Sequence, residues 1–401
     1  MIIGMHCHPI FGPYKALRVK FSTYKQRIPQ TSKFFENPLG ITVRYKMSKN
    51  ICFIDGLEGI LKYRDIDINQ LVELPYDAVS YLLILGDLPG DQELAEYSAC
   101  LHGEREVNRE AIDVIHMCNF NIDSIEALRT IVSFISQFDP DINDSSPEGN
   151  MRKAIRLIAK IPTIVAAYYR IANGKEPVPP DPSLSHGANF LYMLRGKKPS
   201  QLEAEVMEKD FILSAEHELN ASTFSSRVTA STLSDLYSAV VSGLCTLKGP
   251  LHGGARAEVT AMIEEIACPE NAESYVLDKL SKKEKIMGFG HRVYKTYDPR
   301  GTIFKQLAKQ LAEAKGDMHW YNTAEVVENT VIRELVEKKG KPIYPNVDFY
   351  SGVIYKYMDI PPQLATSIFA IGRVSGWIAH SFDQYEKKKI IRPRAFMLDE
   401  C

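Results

Sequence analysis

The 401-residue sequence has no uninterrupted apolar run of about 18 residues, the minimum for a membrane-crossing helix. Basic residues such as Lys160 interrupt its most hydrophobic helical region. Neither sign of charge dominates. The 48 Lys and Arg against 50 Asp and Glu give a formal net charge of -2, so nothing argues for a nucleic-acid surface. Paired cysteines are missing as well. Cys7, Cys52, Cys100, Cys118, Cys245, Cys268 and Cys401 are scattered, odd in number and never in CxxC spacing. That excludes a zinc ribbon and a disulfide framework and fits a reduced intracellular protein. His217-Glu218 begins like HExxH, but Ala221 stands where the second histidine would be, so no metal site is expected. There is no internal repeat and no low-complexity tract.

Acidic residues are absent from residues 1–35, while Lys15, Arg18, Lys20, Lys25, Arg27 and Lys33 are present. A basic, acid-poor start has the look of an organellar transit peptide. Pro9, Pro13 and Pro29 would interrupt the amphipathic helix such peptides use. A transit peptide, a disordered tail and a misassigned start upstream of Met47 all remain open for this N-terminal extension.

What the chain does contain is helical periodicity. Apolar residues at 45% and charged residues at 24% are ordinary for a globular protein, and the length suits one large domain or two unequal ones. Ile303, Phe304, Leu307 and Leu311 share one face between Gly301 and Gly316, with Gly316 as the expected C-cap. Val327, Val331 and Leu335 do the same between Asn322 and Gly340, and Val228, Leu236, Val240 and Leu244 between Arg227 and Leu247. Leu364, Ile368 and Val374 continue the pattern from Pro361 to His380, with prolines at the helix entry. Strand signals are confined to Ile51–Ile54 and Gly59–Tyr63. The fold class is therefore mainly α.

Three histidines stand in suggestive settings: His217 in AEHELNAST, His252 in GPLHGGA and His291 in GFGHRVYKTYDPR. Each is either a hydrogen-bonded structural residue or a ligand-facing one. Glycines beside His252 and His291 favour a close backbone approach. Arg300 lies in a loop, Arg373 in the apolar stretch IFAIGRVSGW and Arg392 in IIRPRA. An arginine among apolar residues needs a partner, either a structural carboxylate or a bound one held bidentately. Asp348, in YPNVDFYSG, reads as a helix N-cap or as a general base. Carbon–carbon bond formation at a thioester needs a base for the α-proton, a donor for the enolate oxygen, cations for a dianionic acceptor and a donor for its carbonyl. One Asp, two or three His and three Arg supply that set without a metal.

The runs AEHELNASTFSSRV, LKGPLHGGARAE, MGFGHRVYKTYDPR, YPNVDFYSG and IIRPRA, with the early IDGLEGILKYR, resemble the successive signatures of the citrate synthase and 2-methylcitrate synthase family. They occur in the family's order, and the resemblance covers roughly residues 40 to 398. It implies an all-helical fold in which a small domain, 254–356, closes over the active site of a large one, 36–253 with 357–401. It implies that His252 stabilises the enol of the acyl-CoA, that Asp348 removes its α-proton and that His291 binds and polarises the oxaloacetate carbonyl. By the same resemblance, His217, Arg300 and Arg373 bind oxaloacetate and Arg392 is donated by the other subunit of a homodimer with shared sites. Lys295 falls near the CoA phosphate, and Met287, Gly288, Phe289 and Gly290 form the adenine-recognition backbone.

The activity this implies is that of an acyltransferase of the tricarboxylic acid cycle, condensing acetyl-CoA with oxaloacetate and hydrolysing citryl-CoA to citrate and CoA. Propionyl-CoA, giving 2-methylcitrate, is the alternative substrate, and a non-catalytic CoA- or dicarboxylate-binding paralogue is the alternative class. Neither a tightly bound cofactor, a nucleic acid nor a membrane partner is implied. The expected location is cytoplasmic, or the mitochondrial matrix if the basic segment is a transit peptide. Two departures from the family pattern stand out. Asp65 replaces the glycine of the usual YRGY, which is expected to alter a local turn. The chain stops at Cys401, where relatives continue with an arm across the dimer, and this bears on the placement of Arg392.

Overall fold

The computed structural model describes residues 51–393. Cys7, Cys401 and the extension at 1–35 lie outside the described residues. The described chain is a helical assembly of sixteen α-helices with one small sheet, as expected for the mainly α class. The sheet is antiparallel, in the order β1 (Cys52–Asp55), β2 (Ile60–Tyr63) and β3 (Ile66–Asp67). Its register pairs Cys52 with Tyr63 and Asp55 with Ile60. Asp55 makes the turn, its Oδ1 accepting from the N–H groups of Leu57 and Glu58 at 2.9 and 3.1 Å. The next turn takes Asp65 without strain, because the left-handed residue there is Arg64, with φ +55°. The missing family glycine is therefore not needed for its conformation.

Polar caps divide the remaining chain into helices. Ser146, Ser200, Asn220, Asp235 and Asp298 each accept a backbone N–H at the start of a helix, and Ser200 forms a capping box with Glu203. The Pro299–Lys315 helix ends on Gly316 at φ +64°, as its sequence predicts. The segment expected as one helix from Arg227 to Leu247 is two, Ala221–Ser231 and Leu236–Leu247. Leu233 takes a left-handed φ of +63° at the break, and Asp235 caps the second helix through Ser238 N–H at 3.0 Å. The helix expected from Asn322 starts at His319, and beyond Val331 it widens into a π-helical turn, Ile332–Glu337.

The helix Ala365–Lys387 is the axis of the core. Ile368, Ile371, Val374, Trp377 and Ile378 are fully buried, and the helix packs on Gln201–Ala215, Ala221–Ser231, Pro147–Ala172 and Tyr76–Leu85. Gly372 and Gly376 let two backbones meet. A Cβ at these positions would lie 2.5 Å from Phe211 O and 2.2 Å from Ala215 O. Arg373, between them in sequence, is thereby pressed against the C-terminal end of the Gln201–Ala215 helix.

Candidate active site

The turn after that helix, Glu216 to Asn220, carries His217. Asn220 caps the following helix by accepting from Thr223 N–H at 3.1 Å. Ser222, in its first turn, keeps an N–H that the helix cannot use. His252 takes it. Its Nε2 accepts from Ser222 N–H at 3.3 Å and lies 2.8 Å from Ser222 Oγ. With Nε2 an acceptor, the neutral ring carries its proton on Nδ1. Trp377 Nε1–H donates to the same Oγ at 3.2 Å and fixes it from the core helix. Burial, and then the charge of Arg373, pull His252 down to about 4.

His291 has the opposite tautomer. Its Nδ1 accepts from the N–H groups of Val293 and Tyr294 at 3.0 and 3.2 Å, so the proton sits on Nε2. Burial and Arg300 pull it down to about 4. Its loop is zipped to the segment before Asp348. Gly290 N–H donates to Tyr344 O at 2.8 Å, Asn346 N–H to Gly288 O at 2.9 Å and Asn346 Nδ2 to Gly290 O at 3.0 Å. Gly288 has φ +78°, and a Cβ there would lie 2.8 Å from the Phe349 side chain. The hairpin holds the other side of the loop, where Lys295 N–H donates to Gly56 O at 2.7 Å.

Asp348 does not cap its helix. Asn346 does, accepting from Asp348 N–H at 2.9 Å, which leaves the aspartate in the first turn of Val347–Tyr357. Its side chain, 18% exposed, lies against Arg256, whose Nε–H donates to Oδ1 at 3.1 Å. Burial raises the carboxyl above its usual range, opposed first by Arg256 and then by Arg300.

His217 is buried, its Nε2 without a partner among the described residues, 5.1 Å ring to ring from His291 and 5.6 Å from Tyr294. Burial and the charges of Arg300, His291 and Arg373 drive it well below the ordinary histidine range. Arg300 is 2% exposed and already held by Asp298, at 3.0 Å from Nε and 2.7 Å from Nη2, which leaves both N–H groups of Nη1 and the second of Nη2. Arg373, 1% exposed, has no carboxylate within ion-pair distance among the described residues. Its Nε–H donates to Ser214 O at 2.6 Å, and its guanidinium lies 4.6 Å from the Phe369 ring centroid. Burial lowers it to about 10. An unpaired buried guanidinium is costly, and an anion on its free N–H groups would offset that cost.

The electrostatics tie the groups together. Arg300 acts on His217, His291 and Asp348, and Arg373 acts on His217 and His252. Arg392 stands apart, exposed at the end of the described residues. Lys295 is exposed with its Nζ 3.4 Å from Arg292 O, and Met287 and Phe289 are half-buried on the zipped loop, Phe289 against Phe349 at 4.6 Å. Sequence reasoning missed Ser222, Arg256 and the buried hydroxyl of Tyr294, which has no partner among the described residues. It also missed Glu218, a half-buried carboxyl that burial and Glu216 raise to about 7. All four lie inside the motif runs, but nothing in those runs says which side chain each one meets.

A family model described as "Citrate synthase, C-terminal domain" matches residues 43–394. "Citrate synthase 2" of Bacillus subtilis (strain 168) is 44% identical over 343 residues, 84% of this chain and 90% of the relative. "Citrate/2-methylcitrate synthase" of the same organism is 38% identical over 347 residues, 86% and 92% of the two chains. Among solved structures, a ternary complex of carboxymethyl coenzyme A and oxaloacetate with citrate synthase from Thermoplasma acidophilum superimposes with a TM-score of 0.82. It has 32% identity and covers 90% of this chain and 95% of that one. With the fold, the histidine–arginine cluster and these matches in agreement, the chain belongs to the citrate synthase family.

Proposed function

We propose that the protein is a citrate synthase, condensing acetyl-CoA with oxaloacetate and hydrolysing the citryl-CoA intermediate to citrate and CoA. The observation that carries this reading is Arg373, a buried guanidinium with no carboxylate at ion-pair distance among the described residues, whose charge acts on His217, where Nε2 has no partner among those residues. That pair, with Nη1 of Arg300, suits a small dianion. The tautomers supply the rest. His291 can donate from Nε2 to the acceptor carbonyl, and His252 can donate from Nδ1 to the thioester oxygen.

Asp348 takes the α-proton of the acyl group while His252 Nδ1–H stabilises the enol oxygen. The α-carbon attacks the carbonyl carbon of oxaloacetate, and that carbonyl oxygen takes the proton of His291 Nε2. Water then cleaves the thioester and releases the CoA thiol. Lys295 and the Met287–Gly290 loop would meet the nucleotide end of CoA, supported by their position beside His291 on one loop. Enolisation and condensation fall to side chains of the protein and water completes the hydrolysis, with acyl-CoA entering as substrate.

Closure of 254–356 over the large domain would keep water out until condensation is complete. A homodimer would bring the partner's copy of Arg392 to the site, which fits its exposure here. Bacterial and archaeal relatives favour a cytoplasmic location.

Propionyl-CoA is the second substrate, favoured by the similarity to a citrate/2-methylcitrate synthase. One methylene is worth only about 1–3 kcal/mol, so both acyl groups should turn over. Thiol release with oxaloacetate, compared for acetyl-CoA and propionyl-CoA by kcat/KM, tests this. Preference for acetyl-CoA is the expected result. Preference for propionyl-CoA would move the assignment to 2-methylcitrate synthase, and no release from folded protein would refute the enzyme reading.

A further inference from the structure

Arg256 opens the helix Ala255–Ile266, four positions after His252, and is 1% exposed. All its nitrogens are engaged. Nε–H donates to Asp348 Oδ1 at 3.1 Å, and Nη1 donates to Asp210 Oδ1 and Tyr355 Oη, both at 2.8 Å. Nη2 donates to Ser214 Oγ at 3.0 Å. Tyr355 in turn donates to Asp210 Oδ2. One cation is thus shared by two carboxylates, a fully buried one and the proposed base.

The Ser214 contact, and a further one to Phe369, lead to the proposed substrate-binding arginine, Arg373. Ser214 accepts Arg256 on its hydroxyl and Arg373 on its carbonyl. The Phe369 ring has the guanidinium of Arg256 at 4.9 Å and that of Arg373 at 4.6 Å from its centroid. We infer that Arg256 is a positioning residue for the reaction: it fixes the orientation and charge of Asp348 and links that base, through Ser214 and Phe369, to the dicarboxylate site at Arg373. This rests on the reading of Asp348 as the base.

The bland account is that Arg256 serves only as the counterion of buried Asp210. The Asp210 contact uses Nη1 alone, however, and the Nε edge is turned to Asp348. The charged groups facing Asp348 are few. Arg256 comes from the helix Ala255–Ile266, and Arg300 and Asp298 come from the start of Pro299–Lys315. Across Val347–Tyr357, Glu328 of His319–Val331 is held by Lys305 and Tyr350. Arg256 is the foremost influence holding the carboxyl down against burial.

Two substitutions move the base in opposite directions. Arg256→Gln removes the cation. The acid limb of the kcat–pH profile should then rise by about one pH unit, since an adjacent opposite charge is worth roughly 1–3 units. Asp210→Asn removes the competing anion, leaves Arg256 to Asp348 alone, and should lower the limb. KM for oxaloacetate should change less than kcat in both. Limbs that stay at the wild-type pH, or move the same way in both variants, would overturn the inference. Where Arg256→Gln does not fold, Asp210→Asn decides by the same criterion. The carboxyl titration of Asp348, followed by NMR with 13C-labelled aspartate, gives the same two shifts without turnover. An inactive wild type would therefore refute the synthase reading, while the titration still tests the Arg256 contact.

Discussion

Asn346 takes the cap position, which leaves Asp348 free to meet a substrate from the first turn of its helix. Asp348→Asn should cut kcat by about 10²–10⁴-fold, the usual range for a lost general base. It should leave oxaloacetate affinity within a few-fold, which calorimetry would check. As the proposed base, Asp348 should set the acid limb of kcat in the wild type. Burial raises that carboxyl, so activity should fall with pH at a value above the ordinary carboxylate range. His252 and His291, pulled to about 4, stay neutral across this window and add no limb of their own. A pH–rate profile governed by a histidine near pH 6.5 would contradict this. The histidines, the arginines and Asp348 were singled out because short motifs name them. Their partners were not. Arg256 meets Asp348 across 92 positions and Ser222 meets His252 across 30, and neither periodicity nor composition encodes such distances.

Helices are read from one apolar face, and that face can outlast a helix. Val228 belongs to one helix and Leu236, Val240 and Leu244 to the next, yet their spacing reads as continuous. The break was signalled by Asp235, a capping residue ahead of an apolar run. Asp235→Ala should therefore destabilise the protein by about 1 kcal/mol without changing the site, measured by denaturant unfolding and by kcat. The π-helical turn at Ile332–Glu337 had no such sign, because Val327, Val331 and Leu335 keep ordinary helical spacing through it. The hairpin strands were read correctly. The two-residue β3 was too short to carry a pattern.

The proposed domain closure and subunit sharing would be properties of the whole molecule. If oxaloacetate binds only the folded form, it should raise stability by about 2.7 kcal/mol at a hundred times its Kd, seen as a higher Tm. Shared sites predict complementation between Arg392→Ala and Asp348→Asn. A re-equilibrated mixture of the two inactive variants should regain about a quarter of wild-type activity, because each mixed dimer holds one site with neither defect. A mixture that stays inactive would place Arg392 outside the partner's site.

Tyr63 of the hairpin donates its hydroxyl to Ile212 O, and Tyr76 reaches Ile371 O and Gly372 O in the last long helix. The hairpin and the helix Tyr76–Leu85 are thus tied to segments 149 and 295 residues further along the chain, which sets a timetable for synthesis. At about 5–20 residues per second, a ribosome needs roughly 15–60 s between making Tyr63 and making Arg373. Through that interval the apolar faces that pack on the Ala365–Lys387 helix have no cover from it, so the large core can close only when the last tenth of the chain has been made.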